Sequence, residues 1–274
     1  MKALASVKNG YEQVSIAVNK LKSKEFNHGF FTEIISKVVE IENTKDGITY
    51  FTVESLLAAK NYLPGQFFKI QNFNDKLEHQ MEPLALSPIH VDKLNGMLRF
   101  KVKEVGKTTK LCARLKIGER ISMMGPAGDA LSLVQNKTIL LITDDFTSEL
   151  ILPLEKELQR NNPTVEKVVT NGSDIEAIRR KILKLDPGSS FIYLYASSEI
   201  VDYFRDLTDY TIIVNLNLPM QCMMKGICGQ CICKVEDDRK YIFACQIHDL
   251  QLKDIDSKTS STRLKINNLL EKLP

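Results

Sequence analysis

The sequence predicts a multi-domain chain: a β-barrel, then an α/β doubly wound domain, then a small C-terminal module built around cysteines. Three observations predict it. Between 29 and 132 short alternating or apolar runs are broken by turns. Between 133 and 216 strand-like and helix-like runs alternate. Five of the six cysteines, Cys222, Cys228, Cys231, Cys233 and Cys245, then crowd into the stretch that follows.

The barrel rests on runs at 30–42, 48–54, 66–70, 97–105 and 120–124. Several short strands at this spacing suggest an antiparallel barrel, in which closure removes the exposed edges. The second domain reads as strand 138–143, helix 149–159, strand 165–169, helix 174–183, strand 190–195, helix 200–207 and strand 211–216. Alternation of this kind builds a parallel sheet covered on both faces, the layout of nucleotide-type domains. Before the barrel, residues 3–24 carry a helical apolar stripe, assigned to an N-terminal helix within 1–28. After the cysteine module at 217–250, residues 251–274 read as a polar linker and a last short helix.

Bulk properties exclude several classes. The chain has 274 residues, 43% hydrophobic and 26% charged, with a formal net charge of +3. That balance argues against nucleic acid as a partner. No apolar run approaches the roughly 18 residues that a membrane helix needs, so membrane insertion is not expected. The first 24 residues carry Lys2, Lys8, Lys20, Lys22 and Lys24, whereas a transit peptide favours Arg and Ser; a cytoplasmic location is expected.

The cysteine spacing reads as a metal site, since a disulfide framework spreads its cysteines through a short secreted chain. Five residues lie between Cys222 and Cys228, two between Cys228 and Cys231, and Cys245 follows at a distance. The plant-type [2Fe–2S] pattern has four, two and a distant fourth ligand, so the first gap here is one residue long. Gly226 and Gly229 allow a tight loop whose N–H groups point at sulfide. The ligand set expected is Cys222, Cys228, Cys231 and Cys245, with Cys233 as the other source of a fourth thiolate. Four thiolates also suit zinc, but zinc ribbons show two Cys-x2-Cys pairs and only one is present. His28, His79, His90 and His248 show no ligand spacing, and Cys112 reads as helix core.

Leu216-Asn217-Leu218-Pro219-Met220-Gln221-Cys222, followed by Gly226-Ile227-Cys228-Gly229-Gln230-Cys231, resembles the ferredoxin reductase-like FAD/[2Fe–2S] electron-transfer subunits. These include the electron-transfer subunit of dihydroorotate dehydrogenase. The chain is closer still to the small subunit of NADH-dependent ferredoxin:NADP oxidoreductase, also called sulfide dehydrogenase. In that second group an aspartate can stand in place of the first cysteine ligand. The resemblance extends through Pro64-Gly65-Gln66-Phe67-Phe68, Glu82-Pro83-Leu84-Ala85-Leu86, Glu104-Val105-Gly106-Lys107-Thr108-Thr109-Lys110-Leu111 and Gly125-Pro126-Ala127-Gly128. It implies that the barrel binds FAD through Gln66, Phe67, Pro83, Leu84, Ala85 and Leu86, with Gly106, Lys107, Thr108 and Thr109 at the pyrophosphate. It also implies a larger flavoprotein oxidoreductase subunit as partner. Ala85 departs from the family by lacking a hydroxyl for the flavin ring, worth about 0.5–1.5 kcal/mol. Glu82 departs as well, replacing a common arginine.

The nucleotide domain departs further. Where the family has Gly-Gly-x-Gly, this chain reads Thr143-Asp144-Asp145-Phe146-Thr147-Ser148-Glu149, and a later Cys-Gly-Pro is Ala196-Ser197-Ser198. A carboxylate ~5 Å from a phosphate, at an effective dielectric of ~20, meets about 3 kcal/mol of repulsion. Weak or lost NAD(P)H binding is the expectation; the other reading has Asp144 or Asp145 bonding ribose hydroxyls. The expected function is electron relay between flavin, cluster and a partner flavoprotein. Two alternatives remain open: a non-catalytic structural, partner-binding subunit, and a competent NAD(P)H-dependent reductase. The residues from Ala3 to Val14 resemble the closing helix of the larger flavoprotein partner, and equally suit a helix packed on its own barrel.

Overall fold

The computed structural model describes residues 33–72, 83–214, 232–234, 241–243 and 250–254. The N-terminal and C-terminal helices and the metal ligands Cys222, Cys228, Cys231 and Cys245 lie outside the described residues, as does Glu82.

The first domain is a seven-stranded antiparallel sheet. β1 (Glu33–Asn43) and β2 (Ile48–Glu54) form a hairpin, followed by helix α1 (Leu56–Asn61). β3 (Phe67–Asn72), β4 (Leu84–Leu86), β5 (Pro88–Asp92) and β6 (Met97–Lys103) follow, then helix α2 (Lys107–Cys112) and β7 (Arg120–Ala127). The strand order is β4-β3-β7-β1-β2-β6-β5. Its two outermost strands, β4 and β5, are separated in the chain by Ser87 alone, so the sheet curls until its edges nearly meet. A nearly closed barrel results.

The barrel core follows from alternation. Phe68 and Ile70 on β3, Leu98 and Phe100 on β6, and Phe51 on β2 are fully buried in one cluster. Phe100 stacks on Phe51 at 5.3 Å between ring centroids and meets Phe68 edge-on at 6.2 Å, geometries worth about 0.5–1.5 kcal/mol each beyond area burial. Cys112 closes the core from α2 with no exposure, and burial pushes its thiol up to about 12. It is core, as its sequence context indicates.

The entry to β3 is set by one turn. Leu63, Pro64, Gly65 and Gln66 carry Pro and Gly in the order a type II turn requires, and Gln66 N donates to Leu63 O at 3.1 Å. Gly65 has φ +92, and a Cβ there would stand 2.6 Å from Leu131 Cγ. Glycine is needed both for the turn and for the approach of the segment leading to the second domain.

The second domain is a five-stranded sheet in the order Leu250–Gln251 (β14), Ile212–Val214 (β11), Ser190–Tyr195 (β10), Thr138–Thr143 (β8) and Thr164–Val169 (β9). β8, β9, β10 and β11 are parallel, with α3 (Leu152–Asn161), α4 (Ile175–Ile182) and α5 (Ser198–Tyr203) between them. Buried on both sides, β8 reads as a continuous apolar run. Ile139, Leu141 and Tyr193 pack with Leu154 and Leu158 of α3. The alternate residues Leu140, Ile142 and Leu194 pack with Ile178 and Ile182 of α4. The sheet is wound on both faces, as the pattern predicts.

Past residue 214 the described pieces are β12 (Ile232–Lys234) paired with β13 (Tyr241–Phe243), and β14 (Leu250–Gln251) running antiparallel to β11. β14 straddles the boundary drawn from sequence between cysteine module and linker: the chain returns to the sheet there, and Leu252 beyond it is buried in the α4 side of the core. Helix α1 and strands β4 and β5 are absent from the sequence reading because none exceeds six residues and none carries a full period; of α2 the sequence indicates only Cys112 as helix core. Ser55 does carry the local signal for α1, since its hydroxyl accepts from Ala58 N at 3.4 Å.

Candidate functional site at the junction of barrel and sheet

Strand alternation divides the β4 residues between two surfaces. Leu84 and Leu86 sit opposite Ile70 and Phe68 and pack on the barrel core, which also receives Leu111 of α2. Ala85 points the other way and packs against the cluster of the α/β sheet. Phe67 and Ala127, paired across β3 and β7, are buried in that same cluster, with Met124 packed against it. The structure thus brings Phe67 and Ala85 together on the outer face of the barrel, where the second domain covers part of it. Pro83 through Leu86 are all half-buried.

Gln66 stands apart. Its Oε1 accepts from Leu63 N and its Nε2 donates to Gly128 O, both at 2.9 Å. It clips the Pro64-Gly65 turn to the Gly128 end of β7, so it shapes the site from behind.

Gly106 to Thr109 begin α2. The Thr109 hydroxyl accepts from Val105 N at 3.0 Å and Gly106 N at 2.9 Å and donates to Gly106 O. Thr109 therefore sets the shape of the loop with its own hydroxyl, and Thr108 is half-buried beside it. Gly106 has no atom within 4 Å of where a side chain would begin, so its backbone is open to approach.

At the sheet, β9 and β10 lie on opposite sides of β8. The crevice at the ends of β8 and β10 is the switch point at which open α/β sheets bind nucleotides. Thr147 lies at these strand ends. Thr147 is 1% exposed, and its hydroxyl accepts from Asp144 N at 3.0 Å. The same hydroxyl lies against Asp144 Oδ1 and the Tyr195 carbonyl at the end of β10; its single proton serves one of these at a time. Asp144 Oδ1 also accepts from Thr147 N at 2.8 Å. Asp144 is turned into its own loop, while Asp145 is exposed.

A second contact holds this loop to the barrel. Lys101 of β6, with its side chain 3% exposed, pairs with Glu149 at 2.7 Å and reaches the Phe146 carbonyl at 3.3 Å. Its ammonium lies 5.1 Å from the centre of the Phe146 ring. The Tyr50 hydroxyl donates to Glu149 at 2.9 Å. Burial pushes the Glu149 carboxyl up, but the hydrogen bonds from Lys101 and Tyr50 outweigh it and hold the carboxyl below its usual value. Burial, and then the Glu149 bond, push the Tyr50 phenol up to about 12. Sequence reasoning missed Lys101, Glu149 and Thr147. In Leu98-Arg99-Phe100-Lys101-Val102 the alternation places Lys101 outward, and nothing local says that a second domain covers it. The Asp144-x-x-Thr147 spacing was the available signal for a self-closed turn.

No family model matches the chain. It is 35% identical over 283 residues to an uncharacterized protein of Rickettsia prowazekii (strain Madrid E), a match covering 100% of this chain and 38% of that protein. Over 101 residues it is 37% identical to the electron transfer subunit of dihydroorotate dehydrogenase B (NAD(+)) of Fusobacterium nucleatum, covering 35% of this chain and 38% of the relative. The chain thus spans 38% of the length of each. In three dimensions it matches a chain from the structure of NADH-dependent reduced ferredoxin-NADP oxidoreductase with a TM-score of 0.74 at 20% identity, over 87% of this chain and 96% of that one. The likeness shows that this chain has the ferredoxin reductase-like fold. The barrel, the parallel sheet and their junction are the ferredoxin reductase-like fold, with β4 and β3 forming the outer surface beside the sheet. Among the described residues of this ferredoxin reductase-like chain, no group of three or more His, Cys, Asp or Glu is placed to hold a metal ion, and no helix is long and apolar enough to cross a membrane.

Proposed function

We propose that this chain is a flavin-binding electron-transfer subunit of a cytoplasmic oxidoreductase, carrying FAD on the barrel and a [2Fe–2S] cluster on Cys222, Cys228, Cys231 and Cys245. It relays electrons to a larger flavoprotein partner and has weak or lost NAD(P)H binding. One observation carries the reading: Ala85 and Phe67 share the half-open face where barrel meets sheet. The residues there suit the group. β4 is an edge strand hydrogen-bonded only to β3 among the described residues, and its outward Ala85 has no side chain beyond Cβ to fill the space of a planar ring. The open backbone of Gly106 suits a pyrophosphate, with Lys107 and Lys110 as neutralising charges. For the cluster, the support is donor chemistry: thiolates at nearly plant-type spacing.

When bound, FAD supplies the one- and two-electron chemistry. The chain's own residues position it. Ala85 offers a half-buried apolar surface beside the buried Phe67, Leu84 and Leu86 anchor β4 into the barrel core, and Gln66 fixes the turn that sets β3. Thr147 and Asp144 occupy the nucleotide crevice, which supports electrons entering from a protein partner and not from a nicotinamide. The same plug and the missing hydroxyl at Ala85 also favour a second reading, a non-catalytic subunit that retains the fold and binds a partner.

Titrating the chain with FAD while following flavin fluorescence separates the two. Saturable quenching at one FAD per chain is the expected result, and absence of quenching leaves only the structural role.

A further inference from the structure

One residue on the outer face of β3 has no part in the flavin site as drawn above. Phe68 and Ile70 are fully buried in the barrel, so alternation turns Lys69 between them to the outer face. The register sets Lys69 directly across from Ala85 on β4 and from Met124 on β7. Opposite residues on paired strands share a face, with Cβ atoms about 4.5–5.5 Å apart. Ala85 and Met124 both pack against the cluster of the second domain. Lys69 is thus a half-buried lysine in the middle of an apolar row, at the junction. Among the described residues nothing bonds or pairs with it. Glu33, opposite Met124 on the far side of the row, accepts a hydrogen bond from the Ser122 hydroxyl at 2.6 Å.

A half-buried lysine keeps its stem along apolar surface and its ammonium at the rim. That is the position of a cation set beside whatever covers Ala85. We propose that Lys69 is the charge facing the flavin on this surface, and that it favours the reduced, negatively charged cofactor over the neutral oxidised one. The inference rests on the flavin reading above. An ammonium in a partly desolvated place attracts a neutral ring weakly and an anionic ring strongly, so its contribution is a difference between the two states. It also offers three donors on the strand next to Ala85, where the neutral hydroxyl of the family is lacking.

The test compares the full-length chain with K69M and K69R, measuring FAD affinity by fluorescence and the flavin midpoint potential by spectroelectrochemistry. K69M is expected to weaken the reduced state about tenfold more than the oxidised, a fall of about 30 mV for a two-electron couple. K69R, which keeps the charge, is expected to restore most of it. An unchanged potential in flavin-loaded K69M overturns this inference and leaves the flavin reading standing. A parent chain that takes up no FAD overturns both.

Discussion

At the scale of single residues, the polar contacts that matter most sit between the domains. Lys101 is almost wholly buried and Glu149 is its only carboxylate among the described residues. Glu149→Ala would strand a buried ammonium, and a loss of about 2–3 kcal/mol is expected in urea unfolding. Lys101→Met should cost less, about 1 kcal/mol, because Glu149 is a third exposed and rehydrates. Titration adds a pH signature. Glu149 is held below its usual value, so its contribution is present above the unfolded carboxylate range and is lost as pH falls through the lower folded value. Cys112 and Tyr50 run the other way. Both are raised to about 12, from 9.0 and 10.0, so the folded chain keeps protons that the unfolded chain has released. The stability they contribute is complete below pH 9 and declines as pH rises toward 12. Thermal melts should therefore show the melting temperature falling from about pH 9 upward; a flat alkaline limb would contradict the burial of Cys112. None of this was legible in the sequence beyond the core assignment of Cys112, because a lysine in a strand announces its face but not the neighbour across a domain boundary.

At the scale of elements, the loop following β8 carries the departure on which the proposed loss of NAD(P)H binding rests. Two acidic residues in place of glycines were legible, and they pointed to repulsion. In the structure Thr147 bridges the ends of β8 and β10. Thr147→Val should cost about 1–2 kcal/mol, as it leaves the Asp144 N–H and its carboxylate without that partner. Calorimetric titration with NADH and NADPH should give no micromolar binding to the parent chain, whereas such affinity would mean that Asp144 or Asp145 serves the ribose instead. Strands β8 and β10 were readable to the residue because they are continuous apolar runs between turns. β4 and β5 were not, since three and five residues are too few to show alternation and β4 follows the stretch 73–82. That matters, because β4 carries three of the ten candidate cofactor residues, Leu84, Ala85 and Leu86. They were placed by resemblance, and the register of β4 with β3 is what sorts them into Leu84 and Leu86 inward and Ala85 outward.

For the whole molecule, the order of barrel then wound sheet was legible from the change of period, from two to alternating two and 3.6. The closure of the barrel was not, because it depends on Ser87 joining strands at opposite ends of a seven-stranded order. Nor was the junction, which arises when the outer face of β3, β4 and β7 meets the α/β cluster. The central claim is that this junction holds flavin while the cysteine segment holds a cluster. The absorbance spectrum of anaerobically purified protein, recorded before and after NADH, tests it most directly. The account predicts flavin bands with an iron–sulfur shoulder, unchanged by NADH. A colourless protein that takes up neither FAD nor iron would contradict it, and prompt bleaching by NADH would contradict the closed nucleotide crevice.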